Sequence, residues 1–354
     1  MKSSGSFMAL LIQLFFCTTV FSQNVYVVKD TSDVLNVTPA GMTLRGAIAQ
    51  ANLSNTGIAD TIKFDIDDNL FLPDSLAFVL TPATTYNIQR PVVILGYTQG
   101  NAGAAGAHTD PGKIAVQGVI GQRKLVVAVD GKRLVPSTAA FTVNNALTQG
   151  IQLSGLVINN LGFTATSRSA IQGIAFSGGI TLSQPTHIWG CYIGTDVSGQ
   201  RPVPDQSFLS ASVSNVALIV NSPVLVNSPF YIGNDGDGLN DENEGNLVSN
   251  TYYGLVFSHS ASSAGKIYVA GNYMGTNATC TDVSDVMRYS YPDFIAQSCI
   301  VVNTGNVVVG IEHASALADT LKRNVICGNK YGITVNNLQS LPLIIAGNYI
   351  GVNK

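Results

Sequence analysis

GCYIGTD (190–196), GNYMGTN (271–277) and GNYIGVN (347–353) are near-copies of one stretch. Each is Gly-X-Tyr-(Ile/Met)-Gly, entered through a β-branched run: HIWG, KIYVAG and LIIAG. The copies recur at intervals of about 80 residues, and a motif at a near-fixed period reads as a structural repeat. Between them, FYIGNDGDGLNDENEGNLVSNTYYGLVF (230–257) aligns with VVVGIEHASALADTLKRNVICGNKYGITV (307–335), matching Gly233 to Gly310, Asn246 to Asn324 and Gly254 to Gly332. A looser unit precedes them in LVINN (156–160), AIQGIAF (170–176) and HIWGCYIGTD (187–196). At roughly 20–25 residues per coil, one superunit is expected to hold three coils.

Short β-branched runs bounded by Gly or Asn cannot each bury an apolar face alone. Stacked in parallel, they pair every backbone group and line an interior with Val, Ile, Leu and Phe. Gly and Asn at the corners accept left-handed backbone angles, and Asn repeated at equivalent corners can form amide ladders; Asn246/Asn324 and Asn272/Asn348 are the expected pairs. The fold predicted is all-β, a right-handed parallel β-helix (solenoid) with a short N-terminal capping helix. It should have 9–11 coils, in a rod on the order of 45–50 Å. A β-sandwich also has many short strands, but the matched Gly and Asn positions favour stacking. Strands are expected at 24–30, 60–64, 91–95, 113–120, 124–129, 139–143, 151–158, 171–176, 186–189 and 216–220.

The 354 residues are 46% hydrophobic and 11% charged, with 35 Gly and a net charge of −3. Ordinary domains carry about 25% charged residues, so this composition suits stacked β-structure wetted by hydroxyls and amides, and disorder is excluded. Without a basic field, nucleic acid is not an expected partner. MKSSGSFMALLIQLFFCTTVFSQ opens the chain with one Lys, an apolar run from Phe7 to Phe16 and then small or polar residues, the pattern of a secretory signal cleaved after Ser22. That run is too short to span a bilayer, and no later stretch is a membrane span. Export permits disulfides, and Cys280 with Cys299, flanking a non-repeating segment, is the expected pair. Cys191, standing where the other copies have Asn272 and Asn348, reads as a buried small hydrophobe.

Met42-Thr43-Leu44-Arg45-Gly46-Ala47-Ile48-Ala49-Gln50-Ala51-Asn52 spaces Leu44, Ala47, Ile48 and Ala51 for a short amphipathic helix with Thr43 as N-cap. TLRGAIAQAN followed by DTIKF resembles the CSLREAI-type element of bacterial surface proteins, with Met42 where such proteins often have Cys and Gly46 where they often have Glu. Pro91 to Gly100, with its Gly96-Tyr97-Thr98-Gln99 turn, is similar to strand ends of the same proteins. The resemblance is to secreted, pectin-lyase-like right-handed parallel β-helices. It implies a helix that caps the first coil and a passive role in adhesion. The domain plan expected is a signal peptide (1–22), an N-terminal cap with first coils (23–90), and β-helix repeats (91–354) that break off at GNYIGVNK, within a repeat.

The strongest local chemistry is the loop from Asn234 to Glu244. Asp235, Asp237, Asp241, Glu242 and Glu244 gather hard oxygens on one glycine-rich turn, the ligand chemistry of Ca²⁺. The string resembles the Asp-rich calcium loops of thrombospondin type 3 repeats. Elsewhere Asp196, Asp205, Asp282, Asp285 and Asp293 fall in loops, and Arg168, Lys266, Arg288, Lys322 and Arg323 form no matched pair. His108, His187, His259 and His313 read as isolated surface or corner residues. Tyr192, Tyr273 and Tyr349, at one repeat position, read as an internal aromatic stack, and the other aromatics, among them Tyr97, Trp189, Tyr252, Tyr253, Tyr289 and Tyr291, as weaker candidates for sugar stacking. The function expected is therefore an exported, non-enzymatic surface protein contacting glycan or a cell-surface protein. The alternative is a polysaccharide lyase or glycoside hydrolase, which needs carboxylates converging across a bond.

Overall fold

The computed structural model describes residues 24–55, 57–100, 110–135, 137–145, 149–161, 171–200, 215–281, 297–312, 320–336, 338 and 341–351. The leader, His108, His313, Arg168, Arg288, Asp205, Asp282, Asp285, Asp293, Tyr289 and Tyr291 lie outside the described residues.

Among the described residues the strands form three long sheets, of nine, nine and seven strands, and one two-stranded sheet, Thr181–Leu182 with Leu225–Val226. From Asp60 onward the chain visits the long sheets in a fixed cycle. Val92–Leu95 belongs to the first, Val127–Asp130 to the second and Ala139–Val143 to the third; Ile151–Ser154 then returns to the first beside Val92–Leu95. The cycle repeats to Tyr349–Ile350. Successive strands of a sheet pair in parallel, the exception being Phe71–Leu72 against Ala77–Leu80. This parallel pairing rules out the sandwich. Nine strands at about 4.8 Å spacing span roughly 38 Å, shorter than the rod expected.

Alternation along each strand sends every second side chain inward. On the first sheet Ile62, Ile94, Leu153, Ile188, Ile232, Val269 and Val309 follow one another in register and are all buried. On the third, Phe141, Ile174, Leu218, Leu255 and Ile300 do the same. One apolar core runs the length of the sheets.

The quoted motif is the entry to the second sheet. Its register corrects two expectations. Tyr192 pairs with Leu247, Leu247 with Tyr273, Tyr273 with Val325 and Val325 with Tyr349. The copies thus lie two circuits apart, so an 80-residue superunit holds two circuits rather than three. Long corner loops lengthen every other circuit, from Tyr192 to Leu247 and from Tyr273 to Val325, so that two fill the interval. The three tyrosines are also not a stack, because an aliphatic residue separates each from the next. The slot before them holds Cys191, Asn246, Asn272, Asn324 and Asn348 in one continuous ladder. Each Asn Oδ1 accepts the backbone N–H of the preceding member at 2.9–3.3 Å. Cys191, free and fully buried, ends the ladder as the small hydrophobe expected.

Several boundaries moved. The run 151–158 breaks into Ile151–Ser154 and Val157–Asn159, because Gly155 turns the chain at φ +68 beneath the ring of Tyr97. Residues 113–120 form no strand beyond a bridge from Val116 to Lys124. Cys280 and Cys299 are not joined by a disulfide, each being buried within its own cluster.

The helix Leu44–Leu53 is capped as expected, with Thr43 Oγ1 accepting from Gly46 N–H at 3.0 Å. Gly46 is required by packing: a Cβ there would sit 1.8 Å from the Asn36 carbonyl oxygen. Arg45 holds Asp33 at 2.7 Å, and Asn52 pairs with the backbone of Asn87 and Gln89 at the end of the third sheet. Thr98 and Gln99 tie the Gly96–Gln99 turn to Phe64 and Ile66 of the neighbouring circuit. Among the described residues no helix is long and apolar enough to cross a membrane.

His259 is buried, against the expectation of a surface residue, and burial pushes its imidazole down to about 4. A folded value below the unfolded value of about 6.5 means that the neutral form stabilises the fold above that pH. The contribution is lost as pH falls from about 6.5 through 4. In urea unfolding, the wild type should lose on the order of 2–3 kcal/mol more than His259→Leu between pH 7.0 and 4.5.

Candidate functional site

Parallel register on the first sheet builds one outward row. His187 pairs with Tyr231, and Tyr231 with Tyr268. Trp189, two residues beyond His187, shares its face. Tyr231 and Tyr268 stack at 5.3 Å between centroids, His187 lies 5.8 Å from Tyr231 and 5.9 Å from Trp189, and Trp189 stacks on Tyr97 at 5.6 Å. Trp189, Tyr231 and Tyr268 are partly exposed. Tyr97 is anchored beneath, its hydroxyl donating to the Gly190 carbonyl at 2.8 Å.

The acidic loop leaves the end of strand Phe230–Gly233 and folds over this row. Three left-handed residues, Gly236, Gly238 and Asn240, make the tight turns. Asp235 accepts from Asp237 N–H, Asp237 from Leu239 N–H and Asp241 from Gly238 N–H, at 2.7–3.1 Å. Those turns bring one oxygen each of Asp235, Asp237 and Asp241 within 4.8 Å of one another. Asn234 closes the loop by donating Nδ2–H to the Asp241 carbonyl at 2.8 Å. Its Oδ1 is fully buried beside Gly236 and has no hydrogen-bond partner among the described residues. An orphaned hard oxygen next to three carboxylates fits a Ca²⁺ ligand set. The Lys322 ammonium lies over Gly236 and offsets part of the charge.

Glu244, at the base of the loop, is buried and accepts the Asp235 N–H at 2.9 Å. Burial pushes its carboxyl up to about 8; the Asp235 hydrogen bond works against that rise, and the charges of Asp235, Asp241 and Asp237 add to it. Glu242 is in neither cluster of potential ligands and lines a shallow groove of about 100 Å³ with Tyr273, Arg323 and Tyr349.

No family model matches the chain. Searches of curated proteins and of solved structures likewise return no match. The site therefore rests on its own geometry.

That geometry joins Asp235, Asp237 and Asp241 and sets Glu244 on the far side of Asp235. It also recruits His187, which the sequence left isolated: His187 is 7% exposed, Nδ1 is 3.6 Å from Asp235 Oδ2 and Nε2 is 4.0 Å from Glu244 Oε2. Burial pushes its imidazole down, opposed by the Gly233 carbonyl and the charges of Asp235 and Asp237. Lys266 pairs with Glu312 beside this face. The available signal for His187 was its position one residue before an inward Ile in HIWG, which puts it outward on the same sheet as Tyr231.

Proposed function

We propose that the protein is an exported right-handed parallel β-helix of the pectin-lyase-like kind, capped by helix Leu44–Leu53, that contacts extracellular glycan at the cell surface. Calcium in the 234–244 loop holds that loop against the contact face. The three-sheet cycle supports the winding, and the Asn52 bonds to the third-sheet edge support the cap. One observation carries the functional reading: the partly exposed row Trp189, Tyr231 and Tyr268 lies beside a loop of hard oxygens. Aromatic faces stack on the C–H faces of sugar rings, and a bound calcium offers open positions to hydroxyl or carboxylate oxygens.

Binding to a polysaccharide panel, with and without chelator, tests this reading. At least one glycan should bind with calcium and be released by chelator, and Trp189→Ala should weaken binding by roughly tenfold, from the ~0.5–1.5 kcal/mol of an aromatic contact. Absence of binding across the panel rejects the reading. The raised Glu244 carboxyl beside Asp235 supports a second reading, a glycoside hydrolase or polysaccharide lyase, since a general acid must hold its proton near neutral pH. The same panel separates the two, because new reducing ends or unsaturated products would establish catalysis.

A further inference from the structure

His187 Nε2 lies 2.6 Å from the Gly233 carbonyl oxygen. A carbonyl only accepts, so that contact places the ring proton on Nε2 and leaves the Nδ1 lone pair facing Asp235 Oδ2 at 3.6 Å. Two electron-rich atoms therefore face each other, an arrangement that a cation between them relieves. Metal-bound histidines commonly donate their second ring N–H to a backbone carbonyl, which fixes the tautomer and the ring orientation, and His187 already makes that bond.

From this arrangement we propose that His187 Nδ1, Asp235 and Glu244 form a second cation site, for a divalent transition metal of the zinc class, sharing Asp235 with the calcium loop. One ligand atom of each residue lies within 4.8 Å of the others. Ligands at about 2.0–2.1 Å from tetrahedral zinc stand about 3.4 Å apart, so Nδ1 and Asp235 Oδ2 at 3.6 Å nearly match, while Glu244 Oε2, which lies 4.0 Å from Nε2, must swing toward Nδ1. One imidazole with two carboxylates is the donor set of zinc and its neighbours, whereas calcium takes oxygens. Three protein ligands leave a fourth position open toward Trp189 and Tyr231, where a sugar hydroxyl or carboxylate can complete the shell.

Trp189 is the sole tryptophan of the chain, and its ring lies 5.9 Å from that of His187, so its fluorescence reports the site. The full-length chain, saturated with Ca²⁺, is titrated with Co²⁺ and then with Zn²⁺ in competition. Co²⁺ should quench Trp189 at one equivalent with calcium still bound. His187→Gln should weaken Zn²⁺ binding on the order of 100-fold and leave calcium affinity within about twofold, while Asp241→Asn should do the reverse. Far-ultraviolet circular dichroism confirms that each variant is folded, and Glu244→Gln replaces His187→Gln if the latter is not. Unchanged zinc affinity in folded His187→Gln, or stoichiometric displacement of Zn²⁺ by Ca²⁺, overturns the second site. Loss of calcium binding alone in Asp241→Asn leaves the zinc reading intact, so the two sites fail separately.

Discussion

Gly275→Ala is expected to lose more than about 4 kcal/mol of stability, enough to leave most of the chain unfolded or misassembled at 37 °C. Gly275 closes the second copy of the quoted motif, at φ +72, and a Cβ there would sit 1.8 Å from the Cys327 carbonyl oxygen. That oxygen belongs to the next circuit, just past the strand Val325–Ile326 that pairs with Tyr273–Met274. The conflict is between two backbones, so no side-chain rotation relieves it and the strands must part. Gly351 supplies the control. It ends the third copy at φ +75, yet none of the described residues lies within 4 Å of its Cβ position. Gly351→Ala should therefore cost only the positive-φ strain, about 1 kcal/mol. Denaturant midpoints of the two variants measure the difference, and equal losses would refute the contact argument.

The same glycine shows what the sequence made legible. A period in Gly, Asn and β-branched residues is enough to argue parallel stacking, because only stacked circuits demand the same residue at the same corner. Which circuits are neighbours was hidden. The intervening copies, GNLVSN (245–250) and RNVICG (323–328), have lost the Tyr, and neither keeps the full Gly-X-Tyr-X-Gly pattern. Leu247 and Val325 can replace Tyr because that row asks only for apolar contact. The Asn slot asks for hydrogen bonds from both neighbours, so Asn persists in every circuit from Asn246 to Asn348. Asn was the marker of register, and Tyr drew attention away from it.

The candidate site divides in the same way. Asp235, Asp237 and Asp241 converge through turns closed within the loop, so a local reading found them. His187 joins them only because Thr186–Trp189 pairs with Phe230–Gly233 in a particular register, a relation between residues more than 40 positions apart. Shifting that register by one would turn His187 into the core and Ile188 out. The row Trp189, Tyr231 and Tyr268 was invisible for the same reason. Glu242 stands outside both clusters and lines the groove with Tyr273 and Tyr349.

The Asn272→Ala variant should lose about 3–5 kcal/mol. Asn272 is fully buried; its Oδ1 accepts from the backbone N–H and the Nδ2–H of Asn246, and its Nδ2 donates to Ile232 O, Ala270 O and Asn324 Oδ1, all at 2.8–3.1 Å. Truncation removes these bonds and strands donors of Asn246 and the Ile232 carbonyl where water has no access, at about 1–3 kcal/mol for each unsatisfied group, partly relieved by relaxation, while Asn324 Oδ1 keeps the backbone N–H of residue 272. Asn348 occupies the same slot but is partly exposed, so water can replace its bonds and Asn348→Ala should cost about 1 kcal/mol. A linked ladder has a further signature. Once the Asn272 side chain is gone, Asn324 Oδ1 keeps only the backbone N–H of residue 272, so Asn324→Ala should cost less in the Asn272→Ala background than alone, by about 1 kcal/mol. Urea unfolding of the two single variants and the double variant measures this coupling. Strict additivity would mean that the amides act as independent corner residues, and the ladder would then be a pattern of positions without shared energy.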